Sequence, residues 1–336
     1  MGTATQVTDF SDLYTDLQNR VRVTTGVTAT ENQAKRYINT ALFDMHMGNR
    51  EKFPWCERRT TLTTQAKYNT GTVTITKGST TLTGSSTLWN TNNDFSVDNA
   101  RVGGKIVVNG TVEVYEVSAV GSDTDITLVQ NYVGSDVSGG SYIYFEDEYA
   151  LSDDFLRPLD FSYFDRNRQI KLIQHRVFKE RFVRNKTTGK ILFAAIVDEA
   201  FNGSTTPVRK VVFHNPPDDA ELVPYSFITN KLAVTSAGVE STQLVNDDDE
   251  PIVPLHARHL IVYHALYNWY RDKKDDTRSV EAKGDYDQGI LRLTADLEIG
   301  ANKPQMRPRS YFRRSRRRGR GRHTLGTAFD ELRDRW

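Results

Sequence analysis

An arginine-rich stretch late in the chain is its strongest local chemical signal. Nine arginines lie within residues 307–322 with no acidic residue between them: Arg307, Arg309, Arg313, Arg314, Arg316, Arg317, Arg318, Arg320 and Arg322. Side chains of one charge at this density cannot be buried together, so they must be solvated or meet an anion. Three interpretations are open: contacts to DNA phosphates with counterion release, docking against an acidic protein surface, or a disordered tail.

Aromatic and apolar residues near the arginines favour docking on a protein. Tyr311 and Phe312 precede the densest part of the run and offer stacking or anchoring groups. Phe329, Leu332 and Trp336 follow it. We therefore predict that residues 301–336 form an extended arm that docks on a partner protein, with DNA contact as the second interpretation. The predicted docking residues are Arg313, Arg314, Arg316, Arg317, Arg318, Phe329, Leu332 and Trp336.

The remaining candidates for chemistry do not assemble into a recognisable motif. His256, His259 and His264 fall on one predicted helix, but a metal site would need a further ligand, and the acidic run at residues 247–250 is close only in sequence. Cys56 has no histidine placed locally to activate it, so we interpret it as a buried, inert thiol. The acidic run is interpreted as a solvated loop or as a patch that repels DNA. The sequence predicts no catalytic residue, cofactor or metal site, and we expect the protein not to be an enzyme.

The composition is typical of an intracellular globular protein. The 336 residues suggest two domains, and 38% hydrophobic with 10% aromatic residues can build a core. The single cysteine excludes an internal disulfide framework. The first residues lack the pattern of a signal peptide, and the apolar run at residues 191–197 is too short to span a bilayer. The net charge of +1 hides an asymmetry, because the arginine-rich stretch leaves the remainder acidic on balance.

The elements that must position these residues begin with a β-rich module inside a chain that is helical on both sides. Residues 72–76 alternate Thr with Val or Ile, which is typical of a strand with one buried face. Asn109 and Gly110 stand between two strand-like runs, 105–108 and 111–114, and predict a two-residue type I′ hairpin turn. Further strands are expected at 125–128 and 141–145. We predict an inserted β-barrel or sandwich domain over residues 68–146.

Helical patterns flank this module. Thr8 and Asp9 can cap a first helix, and residues 28–31 have the pattern of a capping box before a second, amphipathic helix. Residues 255–271 predict a helix that is apolar nearly all round, and a last helix is expected from Asp275 to Gly300. We expect these helices to meet a neighbouring copy through the apolar residues Leu260, Tyr263, Tyr267, Tyr286, Ile290, Leu293 and Leu297.

The middle of the chain predicts β-structure. Residues 189–197 predict a buried strand. Residues 208–214 and 222–229 predict a hairpin whose loop is wide because it contains two prolines. The predicted fold class is therefore α+β: a four-helix core built from both ends of the chain, a central β-layer, and the inserted β-barrel or sandwich domain. Residues 1–67 would be the first part of the helical core, and 147–300 the β-layer with the rest of the core.

The order of these elements resembles that of the head–tail adaptor proteins of tailed bacteriophages, over most of residues 8–299. The resemblance rests on two helices, a mixed middle ending at residues 213–217, Pro254 before an apolar helix, a polar linker at 272–276, and a helix with Tyr286 and Leu293. The β-module is similar to small β-domains inserted in many phage neck and tail proteins.

This resemblance implies a structural virion protein of the neck, at the head–tail interface, made in the host cytoplasm. It implies a ring of twelve copies that connects the portal protein above to a tail or nozzle protein below, with double-stranded DNA passing through the lumen during ejection. The inserted domain would attach a peripheral component such as a tail fibre, and no membrane partner is expected. Three alternatives stay open: a nucleic-acid-binding module that uses the arginine-rich segment, another tail or baseplate protein, or a metal-dependent enzyme, which stoichiometric metal on the histidine helix would favour.

Overall fold

The computed structural model describes residues 7–23, 27–47, 50, 53–163, 168–182, 186–199 and 208–300. Its helices are α1 (Phe10–Val21), α2 (Thr28–His46), α3 (His175–Arg181), α4 (His259–Asp272) and α5 (Asp276–Gly300), with 3₁₀ turns at Pro54–Cys56 and Leu255–Ala257. The first nine strands are β1 (Glu57–Thr63), β2 (Thr72–Ile75), β3 (Thr81–Ser85), β4 (Lys105–Val108), β5 (Tyr115–Ser122), β6 (Asp125–Leu128), β7 (Val137–Gly140), β8 (Tyr142–Phe145) and β9 (Glu148–Ala150). The others are β10 (Phe155–Tyr163), β11 (Arg168–Gln169), β12 (Lys171–Leu172), β13 (Phe193–Glu199), β14 (Val208–His214), β15 (Leu222–Thr229), β16 (Ala233–Val234), β17 (Glu240–Ser241) and β18 (Glu250–Pro251).

Strands β2 to β8 form one antiparallel sheet that curls into a half-barrel. Its strand order is β7-β2-β3-β6-β5-β4-β8. The alternation in β2 buries Val73 and Ile75 and exposes the threonines, as the sequence predicts. Trp89 and Tyr144 are fully buried in the interior, and every buried residue of this core comes from residues 73–144. The half-barrel therefore has a hydrophobic core of its own.

The predicted two-residue turn forms, but the strand expected directly after it does not. Asn109 and Gly110 have φ angles of 50° and 67°, and the Thr111 amide donates to the Val108 carbonyl at 3.0 Å. The next strand, β5, begins only at Tyr115, and it pairs with the start of β4. The prediction of a strand at residues 111–114 is wrong because the chain leaves the ladder for four residues after the turn.

Two four-stranded sheets face each other across a second core. Their strand orders are β1-β15-β10-β11 and β12-β13-β14-β9. Phe161 and Tyr225 of the first sheet stack with 5.0 Å between ring centroids, and Phe161 meets Phe213 of the second at 6.5 Å. The prediction that residues 208–214 and 222–229 form a hairpin is wrong, since β14 and β15 belong to different sheets. The proline-containing loop between them crosses from one sheet to the other.

A small third sheet has the order β17-β16-β18.

Helices α1, α2 and α4 pack against one another. Helix α1 is capped by Asp9 as predicted, and its side chain accepts from the Asp12 amide at 2.9 Å. The capping box predicted at residues 28–31 is wrong. The cap of α2 is Val27, which makes no side-chain cap bond, and the Thr30 hydroxyl instead donates to the Val27 carbonyl at 2.8 Å.

The prediction of an α+β fold organised on a four-helix core is wrong. Helix and strand each account for 31% of the described residues, and both the half-barrel and the facing sheets have buried clusters of their own. Among the described helices, α1, α2 and α4 form a mutual cluster, while α5 touches α4 at Gly289 and Tyr286. Periodicity reveals which face of a helix is buried but not how many helices share that burial, which is why the error arose. The division at residues 68, 146 and 301 stays a prediction.

Candidate functional site

Helix α4 holds three of the seven residues predicted to form a subunit interface. It follows a 3₁₀ turn and begins at His259, four residues after the predicted start. Its buried residues are Leu260, Ile261, Val262, Ala265, Leu266, Asn268 and Trp269. The packing of α1 and α2 on this helix explains why its sequence is apolar around most of the circumference.

Helix α5 covers another face of α4. A Cβ on Gly289 would lie 2.1 Å from Leu260 Cδ2, so the two helices approach closely at this point. About one turn earlier, Tyr286 meets His264 with 4.6 Å between ring centroids, and one turn later Leu293 is only 5% exposed. The predicted seam of α5 is therefore used, at these positions, for packing within the chain.

The tyrosines of the predicted interface also have partners in this chain. Arg20 lies 5.2 Å from the ring centroid of Tyr263, and Arg271 lies 5.3 Å from that of Tyr267. Such cation–π contacts contribute about 0.5–1 kcal/mol at exposed sites. Burial raises the pKa of Tyr286 to about 12. Leu260 and Leu293 are thus buried by the chain itself, whereas Tyr263, Tyr267, Tyr286, Ile290 and Leu297 are half-buried. Their contact with a neighbouring copy stays a prediction.

Sequence reasoning missed the apolar residues that the helices leave exposed. Phe43 on α2 is 50% exposed, Met47 directly after the end of α2 is 65% exposed, and Val280 on α5 is 70% exposed. Phe43 lies opposite the buried stripe of α2, and Val280 lies on a flank of α5 beside its packed seam. The signal was available in the sequence, because apolar residues on the polar face of an amphipathic helix depart from the expected pattern.

The histidines do not converge on a common site. His256 and His259 are exposed, and His264 is half-buried with its Nδ1 3.3 Å from Asn268 Nδ2. Within the described residues, no three or more His, Cys, Asp or Glu side chains are grouped so that they could hold a metal ion. Cys56 is fully buried, and burial raises the pKa of its thiol to about 11, so the reactive thiolate is scarce at neutral pH.

The acidic run at residues 247–250 is a solvated loop only in part. Asp249 is fully buried, and its carboxylate accepts from the backbone amides three and four residues before it at 2.8 and 2.7 Å. Asp247 pairs with Lys35 at 2.7 Å, and Glu250 pairs with Arg258 at 2.8 Å. The run therefore joins the small sheet to the helices.

An ionic junction between the half-barrel and the facing sheets was also missed. Glu146 and Asp147 follow β8 directly and are 6% and 3% exposed. Arg101 donates to both carboxylate oxygens of Glu146, with its Nε at 3.0 Å, and Lys105 Nζ lies 2.7 Å from Asp147. Nothing in the spacing of these residues indicates that they meet, because the pairs are separated by more than forty positions.

The residues predicted to dock on a partner lie outside the described part of the chain, which ends at residue 300. These are Arg313, Arg314, Arg316, Arg317, Arg318, Phe329, Leu332 and Trp336. Among the described helices, none combines the length and the hydropathy that crossing a bilayer requires. Comparison with known proteins finds no matching family and no curated protein of significant sequence similarity.

Proposed function

We propose that this chain is a structural protein of the phage neck, which assembles as a ring between the portal protein and a tail or nozzle protein and lets DNA pass through its lumen. On this proposal it is not an enzyme, and it acts in the virion by holding partners together. The ring would contain twelve copies, as in the adaptor proteins that the order of its elements resembles.

The observation that carries the proposal is the division of charge along the chain. Residues 301–336 contain twelve of the 44 basic residues and three of the 43 acidic ones. Their formal net charge is therefore +9, which leaves −8 on residues 1–300. A ring with an acidic body would repel the phosphates of DNA moving through it, so that the duplex would not adhere to the wall.

The basic segment suits an attachment arm. On this proposal it acts as an arm that becomes ordered on its partner, and such an arm can cover a large surface at modest affinity per unit area. Helix α5 leads directly into it at residue 300, so the arm would start from the helical part of the body. The half-barrel, with its separate hydrophobic core, is suited to hold a peripheral component such as a fibre.

Co-sedimentation with portal-bearing heads tests the proposal. Full-length protein should pellet with filled heads, whereas a variant truncated after Gly300 should keep its folded body and lose stable attachment. Reversing the charge of Arg316, Arg317 and Arg318 should weaken attachment more at low salt than at high salt, because exposed ionic contacts are screened by salt. Undiminished pelleting of the truncated protein would refute the docking role of the arm.

A nucleic-acid-binding function is the second candidate. It is favoured by Tyr311 and Phe312, which precede the densest part of the arginine run and could stack on unpaired bases. On this alternative the isolated segment 301–336 would carry most of the affinity for DNA, with a steep decrease of binding as salt increases. Filter binding of the segment and of residues 1–300 to the same duplex and single-stranded DNA separates the two functions.

A further inference from the structure

Helix α2 presents an outer face that combines an apolar residue with a cation. Phe43 and Arg36 lie about 20° apart at 100° per residue, on the side of the helix opposite the buried stripe that contains Ile38. Phe43 is the exposed apolar residue of α2 described above, and Arg36 is exposed as well. Arg36 stands seven residues before Phe43, which places it about 10.5 Å along the helix.

Helix α5 presents an outer face with the opposite charge. Val280 and Asp287 are both exposed and lie about 20° apart around the axis, on a flank of α5 beside the seam that packs on α4. They are also seven residues apart. An apolar residue and a carboxylate on α5 therefore have the same separation as an apolar residue and a guanidinium on α2.

The surroundings of Arg36 are suited to an incoming carboxylate. Arg36 lines a groove of about 590 Å³ between α2 and α4, together with Arg271, Asn32 and Asn268. The groove contains one acidic residue, Asp272, and the Tyr37 hydroxyl donates to its carboxylate at 2.6 Å. Arg271 already pairs with Asp272, with its Nε 3.9 Å from that carboxylate, and Arg36 is the second guanidinium group of the groove.

We infer that the outer face of α5 in one copy docks antiparallel on the outer face of α2 in the next copy, with Val280 against Phe43 and Asp287 in the groove beside Arg36. Because each copy carries both faces, this contact is heterologous and repeats from copy to copy, as closure of a ring requires. The inference rests on the proposed function, and it places the contact between copies on faces other than the seam between α4 and α5.

Cross-linking between two single-cysteine variants tests the contact directly. Full-length Phe43→Cys and Val280→Cys chains are mixed and treated with a short bis-maleimide, since packed helix axes lie about 8–10 Å apart. The native Cys56 is buried and is kept in every variant. The expected product is a cross-linked dimer with one Phe43→Cys chain and one Val280→Cys chain, identified by its intact mass. Its yield should be several times higher than that of the dimer formed by Phe43→Cys with Val102→Cys. Val102 is a matched control, because it is as exposed as Val280 but lies in the half-barrel.

A charge exchange then tests the register. Arg36→Asp in the Phe43→Cys chain should lower the yield by about twofold to fivefold, as expected for an exposed ion pair. Asp287→Arg in the Val280→Cys chain should restore it, whereas Asp276→Arg should not. A yield no higher than that of the Val102 control, or no recovery in the exchanged pair, would overturn the inference. Specific cross-linking in a protein that never binds portal-bearing heads would leave the contact standing and refute the neck function instead.

Discussion

Replacing Arg101 with methionine should destabilise the attachment of the half-barrel to the rest of the chain. Glu146 would then keep one side-chain donor, the Tyr144 hydroxyl at 2.6 Å, while remaining buried. Removing one partner of a buried ion pair costs about 3–5 kcal/mol. Because the Arg101 side chain is itself 37% exposed, we expect a loss of about 2–3 kcal/mol in the free energy of unfolding.

A double-mutant cycle isolates the interaction. Glu146→Gln removes the charge but leaves an oxygen that can accept from Tyr144, so Arg101→Met with Glu146→Gln should be more stable than Arg101→Met alone. The coupling energy should be about 1.5–2 kcal/mol. Urea unfolding followed by tryptophan fluorescence measures it, with Trp89 reporting on the half-barrel because its indole is fully buried there.

The matched control is an exposed pair. Arg176 and Glu180 lie 3.2 Å apart on α3 with side chains 88% and 64% exposed, so Arg176→Met should change stability by less than about 0.5 kcal/mol. If Arg101→Met costs no more than this control, or if the cycle gives a coupling near zero, the junction is not held by the buried pair.

Three further predictions concern the helices. Burial lowers the pKa of His46 to about 4 from an unfolded value of 6.5. Between these two pH values the unfolded chain binds a proton that the folded chain does not, so the free energy of unfolding is highest above about pH 6.5 and decreases as the pH falls towards 4. His46→Gln should remove this pH dependence of the free energy of unfolding, which amounts to up to about 3 kcal/mol. Urea unfolding at several pH values measures it. Gly284→Ala should raise the free energy of unfolding by about 0.8–1 kcal/mol, because the added methyl group meets no atom within 4 Å. Gly289→Ala should raise it less, because its methyl group would meet Leu260. Thermal melting of both variants compares the two effects. Leu293→Asp should abolish incorporation into virions while Trp89 fluorescence still reports a folded half-barrel, and virions containing the variant would contradict this.

The sequence by itself determined the features that depend on a few neighbouring residues. The Asp9 cap, the positive φ angles at Asn109 and Gly110, and the alternating burial in β2 all appear where the pattern indicated. The start of α5 was also predicted within a residue. These features are local because a cap, a turn or a strand face is set by the chemistry of adjacent positions.

Only the tertiary structure decided which elements meet. The assignment of β14 and β15 to different sheets, the packing of the α5 seam against α4, and the pairing of Arg101 with Glu146 could not be predicted from spacing. A hydrophobic stripe requires burial but does not specify its partner, and a buried carboxylate requires a cation that can come from anywhere in the chain. The prediction of a four-helix core was wrong because a helix packed in a bundle and a helix packed along one neighbour have the same hydrophobic periodicity.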